Sequence, residues 1–432
     1  MRKRHSVLVL VGAAVLGAFS MPWVVGAGHG VAPDIATVHA ERAEECRPHG
    51  WAIVPSPSVV FSDFNNVNGT STEDIWAVGE TEAAPSPVRS LIEHWDGSRW
   101  SIVPSPLPSA GPSALFDVVA LSRKDAWAVG TMSSGATSGL TMHWNGTTWT
   151  VVPSPNRPTG NTFISSVSAV RSNDVWAVGS GSDGDAFVIH WDGLAWSIVP
   201  TPATGATSTL LSGVTAVSLT NVWAVGSLRQ GNRFETLTEH WDGSAWTIVP
   251  SPNGSGLDSQ LRGVDARSAG DIWTVGTTGV GSTQNALVEH WDGETWSTVP
   301  SPLFADPLTI LTDVSVASHD DAWVAGYRQT SAGESHAVIE HWDGRSWRLT
   351  ETPGSLVAGS TYGGIWATRT GQVWATGGIF SPGPPRTSQA LIEHGCVRPF
   401  DVPYARIEAD YTPIAAATFP HDPSASPSSR RR

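Results

Sequence analysis

Two stretches of the chain, DIWAVG at residues 74–79 and LIEHWDGSRWSIVPSP at residues 91–106, decide its fold. Both recur along the sequence with small changes. The tryptophan of the first stretch returns every 47 to 51 residues, at Trp76, Trp127, Trp176, Trp223, Trp273, Trp323 and Trp374. A repeat of this length is typical of solenoids and propellers, in which each unit buries its apolar side only against its neighbours.

Each repeat is predicted to contain four short antiparallel strands. In the first repeat these are expected at residues 64–69, 75–79, 91–95 and 100–103. The Asp96-Gly97 pair between the last two favours a hairpin, because both turn residues must tolerate positive φ. Pro104 ends the outer strand, since proline cannot donate to a strand ladder. Four strands in each of seven units predict an all-β, seven-bladed β-propeller, with a solenoid as the alternative.

The array begins and ends in the middle of a repeat. Residues 51–55 are an outer strand with no hairpin partner before them, and residues 391–394 are a third strand with no fourth strand after them. Together they complete one blade. We therefore predict that the N-terminal strand closes the ring by pairing with the C-terminal blade, whereas a solenoid would need capping repeats at both ends.

The two cysteines of the chain fall at this junction. Cys46 stands five residues before Trp51, as Trp95 stands five before Trp100, and Cys396 follows His394 at the interrupted turn. In an oxidising compartment, cysteines so placed form a disulfide. We predict a Cys46–Cys396 disulfide across the junction, with two free thiols as the alternative.

The N-terminus indicates export. Basic residues 2–4 precede an apolar segment at residues 7–19 and small residues at 25–27, as in a cleaved signal peptide; an uncleaved anchor is the alternative. The predicted organisation is a signal peptide at 1–27, a linker at 28–45, a propeller at 46–400 and a disordered Pro/Ser-rich tail at 401–432. We therefore expect a protein that is secreted or associated with the cell surface, with no stable membrane span after cleavage.

Composition limits the class of partner. The formal net charge is −14 and only 15% of residues are charged. Nucleic acid is excluded as a partner, because its phosphates require a patch of lysine and arginine. We expect a monomer whose partner is an extracellular protein or a glycan.

The repeat resembles the kelch family. Its second strand ends in glycine, an aromatic residue lies on the third strand, and a tryptophan opens the fourth strand before Val-Pro. The glycines are Gly79, Gly130, Gly179, Gly226, Gly276, Gly326 and Gly377. Most units have one glycine where kelch has two, and His-Trp replaces the usual tyrosine. The resemblance implies a kelch-like propeller. The D-x-W-A-V-G and H-W-D-G-x-x-W elements are also similar to the tectonin and fucose-lectin propellers, which bind sugars.

The sequence offers no arrangement typical of catalysis. The Glu93-His94 pair recurs in most units, and many copies of one catalytic residue make no chemical sense. We expect a structural role instead, in which the histidine and the Asp of D-x-W satisfy either each other's polar groups or those of the backbone at the repeated turns. A copper site would need a cysteine beside tyrosines and histidines, but the chain has only four tyrosines and both of its cysteines are assigned to the ring closure. No G-x-S-x-G, H-E-x-x-H or phosphate loop is present. We predict a non-enzyme without cofactor or metal; the alternative is a polysaccharide-acting hydrolase or lyase.

Topology divides the predicted ring into two faces. Short repeated turns lie on one face and loops of variable length lie on the other, where the function of repeat proteins concentrates. The single-copy candidates for a binding site on the variable side are Arg229, Arg233, Tyr327, Arg328 and Tyr362. The predicted function is an interaction module that binds a protein or glycan there. A multivalent lectin that uses the third-strand tryptophans at the repeated turns is a further alternative, although we expect these rings to be covered.

Overall fold

The computed structural model describes residues 50–396, except 58–60, 83–86, 107–110, 159, 183, 254–257, 282, 303–307 and 382–386. The predicted signal peptide, linker, C-terminal tail and Cys46 lie outside the described residues. The described chain forms 28 strands and one 3₁₀ turn at Gly354–Leu356. None of its helical segments has the length and apolar character needed to cross a membrane.

The strands fall into seven four-stranded antiparallel blades. Blade 1 contains β2 (Ser62–Ser71), β3 (Asp74–Thr81), β4 (Arg89–Trp95) and β5 (Trp100–Ile102). Blade 2 contains β6 (Ser113–Ser122), β7 (Asp125–Ser133), β8 (Thr137–Trp144) and β9 (Trp149–Val151). Blade 3 contains β10 (Thr162–Arg171), β11 (Asp174–Gly181), β12 (Ala186–Trp191) and β13 (Trp196–Ile198). Blade 4 contains β14 (Ser208–Ser218), β15 (Asn221–Gln230), β16 (Arg233–Trp241) and β17 (Trp246–Ile248).

The remaining three blades include the one that joins the two ends of the array. Blade 5 contains β18 (Asp258–Ser268), β19 (Asp271–Val280), β20 (Thr283–Trp291) and β21 (Trp296–Thr298). Blade 6 contains β22 (Leu308–Ser318), β23 (Asp321–Gln329), β24 (Ser335–Trp342) and β25 (Trp347–Thr350). Blade 7 contains β26 (Ser360–Ala367), β27 (Gln372–Ser381), β28 (Thr387–Cys396) and β1 (Gly50–Ile53). A single parallel pair, Gln284 with Leu308, links the ladders of blades 5 and 6.

Blade 7 confirms the predicted closure by the N-terminal strand. Trp51 pairs with Gly395, and the Val54 N–H donates to the carbonyl oxygen of Ile392 at 2.9 Å. A Cβ on Gly395 would lie 2.6 Å from the Trp51 ring, so the missing side chain makes room for that ring. Cys396 is buried at the end of β28. Because Cys46 lies outside the described residues, the disulfide stays a prediction.

Tryptophans fill the wedges between blades. Trp76 of blade 1 packs against Trp144 and Trp149 of blade 2, with ring centroids 5.0 and 5.2 Å apart. The equivalent tryptophans of blades 2 to 5 repeat this arrangement with the next blade. In blade 7, Trp374 packs against Trp95 and Trp100 of blade 1 at 5.0 and 5.5 Å. The ring is therefore closed by aromatic packing as well as by β1.

The innermost strands are tied to one another by side-chain acceptors. Asn68 Oδ1 of blade 1 accepts the N–H of Ala120 in blade 2 at 3.0 Å. Asp117 Oδ2 of blade 2 accepts the N–H of Val167 in blade 3 at 2.8 Å. Further donor–acceptor pairs of this kind are Val214–Ser166, Ala216–Ser168, Val316–Asp265, Ile365–Asp313 and Ala367–Ser315. They satisfy backbone N–H groups that the open inner edge of each blade would otherwise leave unpaired.

Candidate functional site

The two faces of the ring differ in how their strands are connected. We call the turn face the side with the turns between first and second strands and the hairpins between third and fourth strands. The variable face is the opposite side, where second strands end and third strands begin. The two faces therefore present different groups to a ligand.

On the turn face, the repeated histidines pair with the D-x-W residue, which is one of the two arrangements predicted. In blade 1, His94 Nε2 lies 2.8 Å from Asp74 Oδ1. Blades 2 to 6 repeat the contact at 2.9 to 3.1 Å in the pairs His143–Asp125, His190–Asp174, His240–Asn221, His290–Asp271 and His341–Asp321. In blade 7 the position is Gln372, and burial lowers the pKa of His394 to about 4. These groups are structural partners of one another.

The hairpin carboxylates of the turn face hold their own turns. Asp96 Oδ1 accepts the N–H groups of Ser98 and Arg99 at 2.9 and 3.0 Å. The same pattern recurs at Asn145, Asp192, Asp242, Asp292 and Asp343. The side-chain and backbone hydrogen bonds of Ser98 lower the pKa of Asp96 to about 2. One side-chain oxygen of each turn, a carboxylate oxygen or the amide oxygen of Asn145, is therefore occupied by local structure.

The third-strand tryptophans are expected to be covered, and the structure buries one of the six and leaves five partly exposed. Trp95 is only 4% exposed, and the other five are half-buried. Each ring packs against a second-strand tryptophan of the preceding blade. Indole N–H groups of this series donate to turn carbonyls, such as Trp95 to Thr72 at 3.1 Å and Trp291 to Ala269 at 3.2 Å. The rings are thus committed to packing between blades, and five of the six keep part of their surface open to solvent.

On the variable face, Arg229 and Arg233 share one hairpin. They lie at the end of β15 and the start of β16, and both side chains are exposed. The guanidinium of Arg229 lies 5.5 Å from the centre of the Phe234 ring, which is a cation–π contact. The structure therefore brings these two candidates together in blade 4.

Tyr327 and Arg328 belong to a different part of the ring. Both lie on β23 of blade 6 and are half-buried. Burial raises the pKa of Tyr327, and the nearby Arg262 of blade 5 opposes this rise. Arg328 pairs across the strands with His336, whose Nδ1 lies 3.2 Å from the Ser355 carbonyl oxygen. The five sequence candidates do not form one cluster, because they are spread over blades 4, 6 and 7.

Tyr362 must be corrected as a ligand-binding candidate. It is 1% exposed, within the core between blades 6 and 7. Its hydroxyl donates to Glu393 Oε2 and lies 2.7 Å from Thr352 Oγ1. A phenol hydroxyl inside a core needs such partners, and Glu393 also accepts the Gly354 N–H at 2.5 Å. Tyr362 therefore anchors the connection into blade 7.

A strained residue marks the boundary between blades 7 and 1 on the variable face. Phe61 has φ of 69°, the only positive φ among the described non-glycine residues. Its N–H donates to the Ser388 carbonyl oxygen at 2.6 Å, and its own carbonyl oxygen accepts the Glu82 N–H at 2.8 Å. Strained backbone held by two neighbouring blades is a feature that concentrates at functional sites.

Next to Phe61 lies an acidic pair that the sequence analysis missed. Asp63 and Glu80 are directly opposite each other on β2 and β3. Within the described structure, Asp63 Oδ1 and Glu80 Oε2 are sealed from solvent without a hydrogen-bond partner. A Cβ on Gly378 of blade 7 would lie 2.4 Å from Asp63 Oδ1 and 3.2 Å from the ring of Phe380, which is 40% exposed. We call Phe61, Asp63, Glu80, Gly378 and Phe380 the seam group.

Both carboxyl groups of the acidic pair have raised pKa values. Burial, with the negative charge of Glu80, raises the pKa of Asp63 to about 7. Burial also raises the pKa of Glu80, and the charge of Glu82 adds to the rise. Carboxyl groups perturbed in this way occur preferentially at binding and catalytic sites.

Buried glutamates in the wedges are a second feature that the sequence analysis missed. Glu93, Glu239, Glu289, Glu340 and Glu393 have no exposed surface. The Ser56 hydroxyl donates to Glu93 Oε1 at 2.9 Å, whereas both carboxyl oxygens of Glu289 lack a partner in the described structure. Burial raises the pKa of Glu289 to about 8 and that of Glu239 to about 7. The alternation of side chains along the third strand could have predicted this burial, since Leu91, Glu93 and Trp95 share one side of β4.

The described residues do not group three His, Cys, Asp or Glu side chains where they could hold a metal ion. The described carboxyl groups with raised pKa values are instead the seam pair, glutamates in the wedges, and the inner-strand Asp117, Asp265 and Asp313, whose pKa values are raised by burial.

Comparison with known proteins identifies the fold. The structure of YCF48 bound to D1 peptide has a TM-score of 0.50 and 12% identity, over 81% of this chain and 97% of that one. A chain of the mitotic checkpoint complex has a TM-score of 0.50 and 11% identity, over 86% of this chain and 99% of that one. This chain is an all-β propeller. A fucose-specific lectin from Aleuria aurantia has a TM-score of 0.41 and 13% identity, over 68% of this chain and 97% of that one. No protein-family model and no curated protein matches the chain.

Proposed function

We propose that this chain is a secreted, non-catalytic interaction module that binds an extracellular protein or glycan through its variable face. The observation that carries this proposal is the contrast between the two faces. Most repeated polar groups of the turn face are paired with one another or with their own turns. The variable face carries the seam group and exposed apolar side chains such as Val280 and Leu356, which occur once each.

Secretion, a monomeric state and a kelch-like blade belong to the same proposal. The basic and apolar segments at residues 2–19 support export. The glycine that ends each second strand and the Trp-x-x-Val-Pro of the outer strands support the kelch resemblance. Extracellular propellers of this kind serve as rigid scaffolds on which loops carry the specificity.

One observation favours the alternative of a polysaccharide-acting hydrolase or lyase. The raised pKa of Asp63 would let it hold a proton at neutral pH beside a second carboxyl group, as general acids do. Release of reducing ends from polysaccharides by the wild type, lost in Asp63→Asn, would establish catalysis and contradict the proposal. We expect no release by either protein.

Photo-cross-linking from matched positions on the two faces tests the proposal. A benzophenone amino acid is placed at Val280, Leu356 or Phe380 on the variable face, and at Leu194 or Leu219 on the turn face as controls; all five side chains are exposed. In medium from the producing cells, we expect one defined adduct from the variable-face positions and none from the controls. Adducts only from Leu194 and Leu219 would contradict binding through the variable face and favour the lectin alternative at the repeated turns.

A further inference from the structure

The inner strand of blade 7 lacks a side-chain acceptor that blades 1, 3, 5 and 6 provide, as does blade 2 with Val119 at this position. Asn68, Ser168, Asp265 and Ser315 occupy equivalent positions in blades 1, 3, 5 and 6, and each accepts a backbone N–H from the following blade. In blade 7 this position is Trp366. An indole donates a hydrogen bond and cannot accept one. The equivalent N–H in blade 1, that of Gly69, therefore receives no acceptor from blade 7.

Gly69 and Trp366 fit one another. A Cβ on Gly69 would lie 2.7 Å from the Asp74 carbonyl oxygen and 3.0 Å from Cη2 of Trp366, so the glycine lets the ring approach this strand closely. The other blades carry alanine or valine at the position of Gly69. Trp366 remains half-buried, and its indole N–H donates to no residue of the described chain.

This aromatic ring stands in a cleft of the turn face between blades 7 and 1. The cleft measures about 400 Å³ and is lined by residues 70–72, Trp366 and residues 368–370. Five of the lining side chains carry hydroxyl groups, and one is the exposed Arg369, which forms no ion pair within the described residues. No carboxylate lines the cleft, although the chain as a whole carries a net charge of −14.

These groups define a class of ligand. A half-open indole offers an apolar surface to the C–H face of a sugar ring. Thr70 and Thr368 donate their hydroxyls to Asp74 and to the Gln372 carbonyl oxygen. The Ser71 and Thr72 hydroxyls and the free indole N–H can bond with ring hydroxyls, and an unpaired guanidinium matches a carboxylate in a bidentate geometry. We propose that the cleft binds one carboxylated sugar residue, such as a hexuronic acid of an acidic polysaccharide, with Trp366 beneath the ring and Arg369 on the carboxylate.

This site is separate from the proposed function. It lies on the turn face, opposite the variable face. It depends on Trp366 and Arg369, which occur together only in blade 7, and on the adjoining turn of blade 1. One ligand per chain is therefore expected, in contrast to a lectin with an equivalent site at each repeated turn. Loss of the cleft site would leave binding at the variable face intact, and the reverse also holds.

Calorimetric titration of the full chain with trigalacturonate, and with neutral galactotriose for comparison, tests the ligand class. We expect trigalacturonate to bind with one site per chain and galactotriose to bind at least about tenfold more weakly, since a charge-assisted hydrogen bond is lost. Arg369→Gln should weaken trigalacturonate binding by about tenfold or more. Arg171→Gln is the matched control, because Arg171 is exposed at the same turn position in blade 3, beside Ser168 rather than a tryptophan.

Trp366→Asn tests the aromatic surface. The substitution gives blade 7 the residue that blade 1 carries at Asn68, which can accept the Gly69 N–H and offset part of the core packing that Trp366 provides. We expect a folded protein, checked by its circular dichroism, together with loss of trigalacturonate binding. The proposal is overturned if trigalacturonate does not bind, if galactotriose binds equally well, if Arg171→Gln weakens binding as much as Arg369→Gln, or if Trp366→Asn binds normally.

Discussion

The wedge between blades 5 and 6 and the wedge between blades 6 and 7 are built differently. In the first, Trp273 meets two tryptophans, Trp342 at 5.0 Å and Trp347 at 5.2 Å. In the second, Trp323 meets only Trp51, at 5.9 Å, because Gly395 stands where the other blades carry a third-strand tryptophan. The wedge between blades 5 and 6 is filled by the tryptophans that each repeat supplies. Blade 7 is assembled from both chain ends, so its wedge contains residues that the repeat does not supply. The single-copy features at Trp366 and in the seam group border that blade.

Removing the closing strand should have the largest effect. Deletion of residues 46–55 takes away β1 and Trp51, exposes the edge of β28 and opens the core between blades 6 and 7. We expect the melting temperature to fall by about 10 °C or more in differential scanning calorimetry. Deletion of residues 412–432, in the tail predicted to be disordered, is the control and should leave it unchanged. Equal melting temperatures for the two deletions would refute closure by β1.

Tryptophan substitutions compare the two wedges directly. Trp273→Ala removes a ring packed against two others, so we expect a loss of about 3–5 kcal/mol in the free energy of unfolding. Trp323→Ala removes a ring with one tryptophan partner and should cost less. Chemical denaturation measures both values. A larger loss for Trp323→Ala would contradict the weaker aromatic packing expected in the wedge between blades 6 and 7.

The turn-face pairs provide the next comparison. Asp271→Ala leaves His290 and His319 without their acceptor, at 2.9 and 3.2 Å in the wild type, and should cost about 1–3 kcal/mol. Gln372→Ala changes the equivalent residue of blade 7, whose side chain forms no hydrogen bond with a histidine in the described structure. We expect it to cost under about 0.5 kcal/mol. Equal losses would mean that the Asp–His contacts do not stabilise the regular blades.

The buried glutamates should make stability depend on pH. Because burial raises the pKa of Glu289 to about 8, the folded chain keeps a proton that the unfolded chain releases above about pH 4.5. The contribution of this group is complete below pH 4.5 and is lost as the pH rises towards 8. Glu289→Gln should therefore lose fewer degrees of melting temperature between pH 5 and 8 than the wild type. Glu294→Gln, at an exposed turn position, is the control and should follow the wild-type profile.

The repeat predicted the fold because seven copies in register specify both the strands of a blade and the missing half at each end. The pairing of His94 with Asp74 also followed from the repeat, since both residues recur together. Burial of Glu93 did not follow, because a carboxyl group inside a wedge runs against the average preference of glutamate for solvent. The seam group joins residues more than 300 positions apart in the sequence. No local sequence pattern indicates that such distant residues lie side by side in the folded chain.

Hydrogen exchange at β1 tests ring closure most directly. The strand Gly50–Ile53 has its partner, β28, more than 330 residues away in sequence, so protection of its amides requires that the two ends meet. We predict that peptides covering residues 50–57 of the intact protein exchange as slowly as those of the outer strand β13. Exchange of these amides at the rate of an unstructured chain, while β13 stays protected, would contradict the closed propeller.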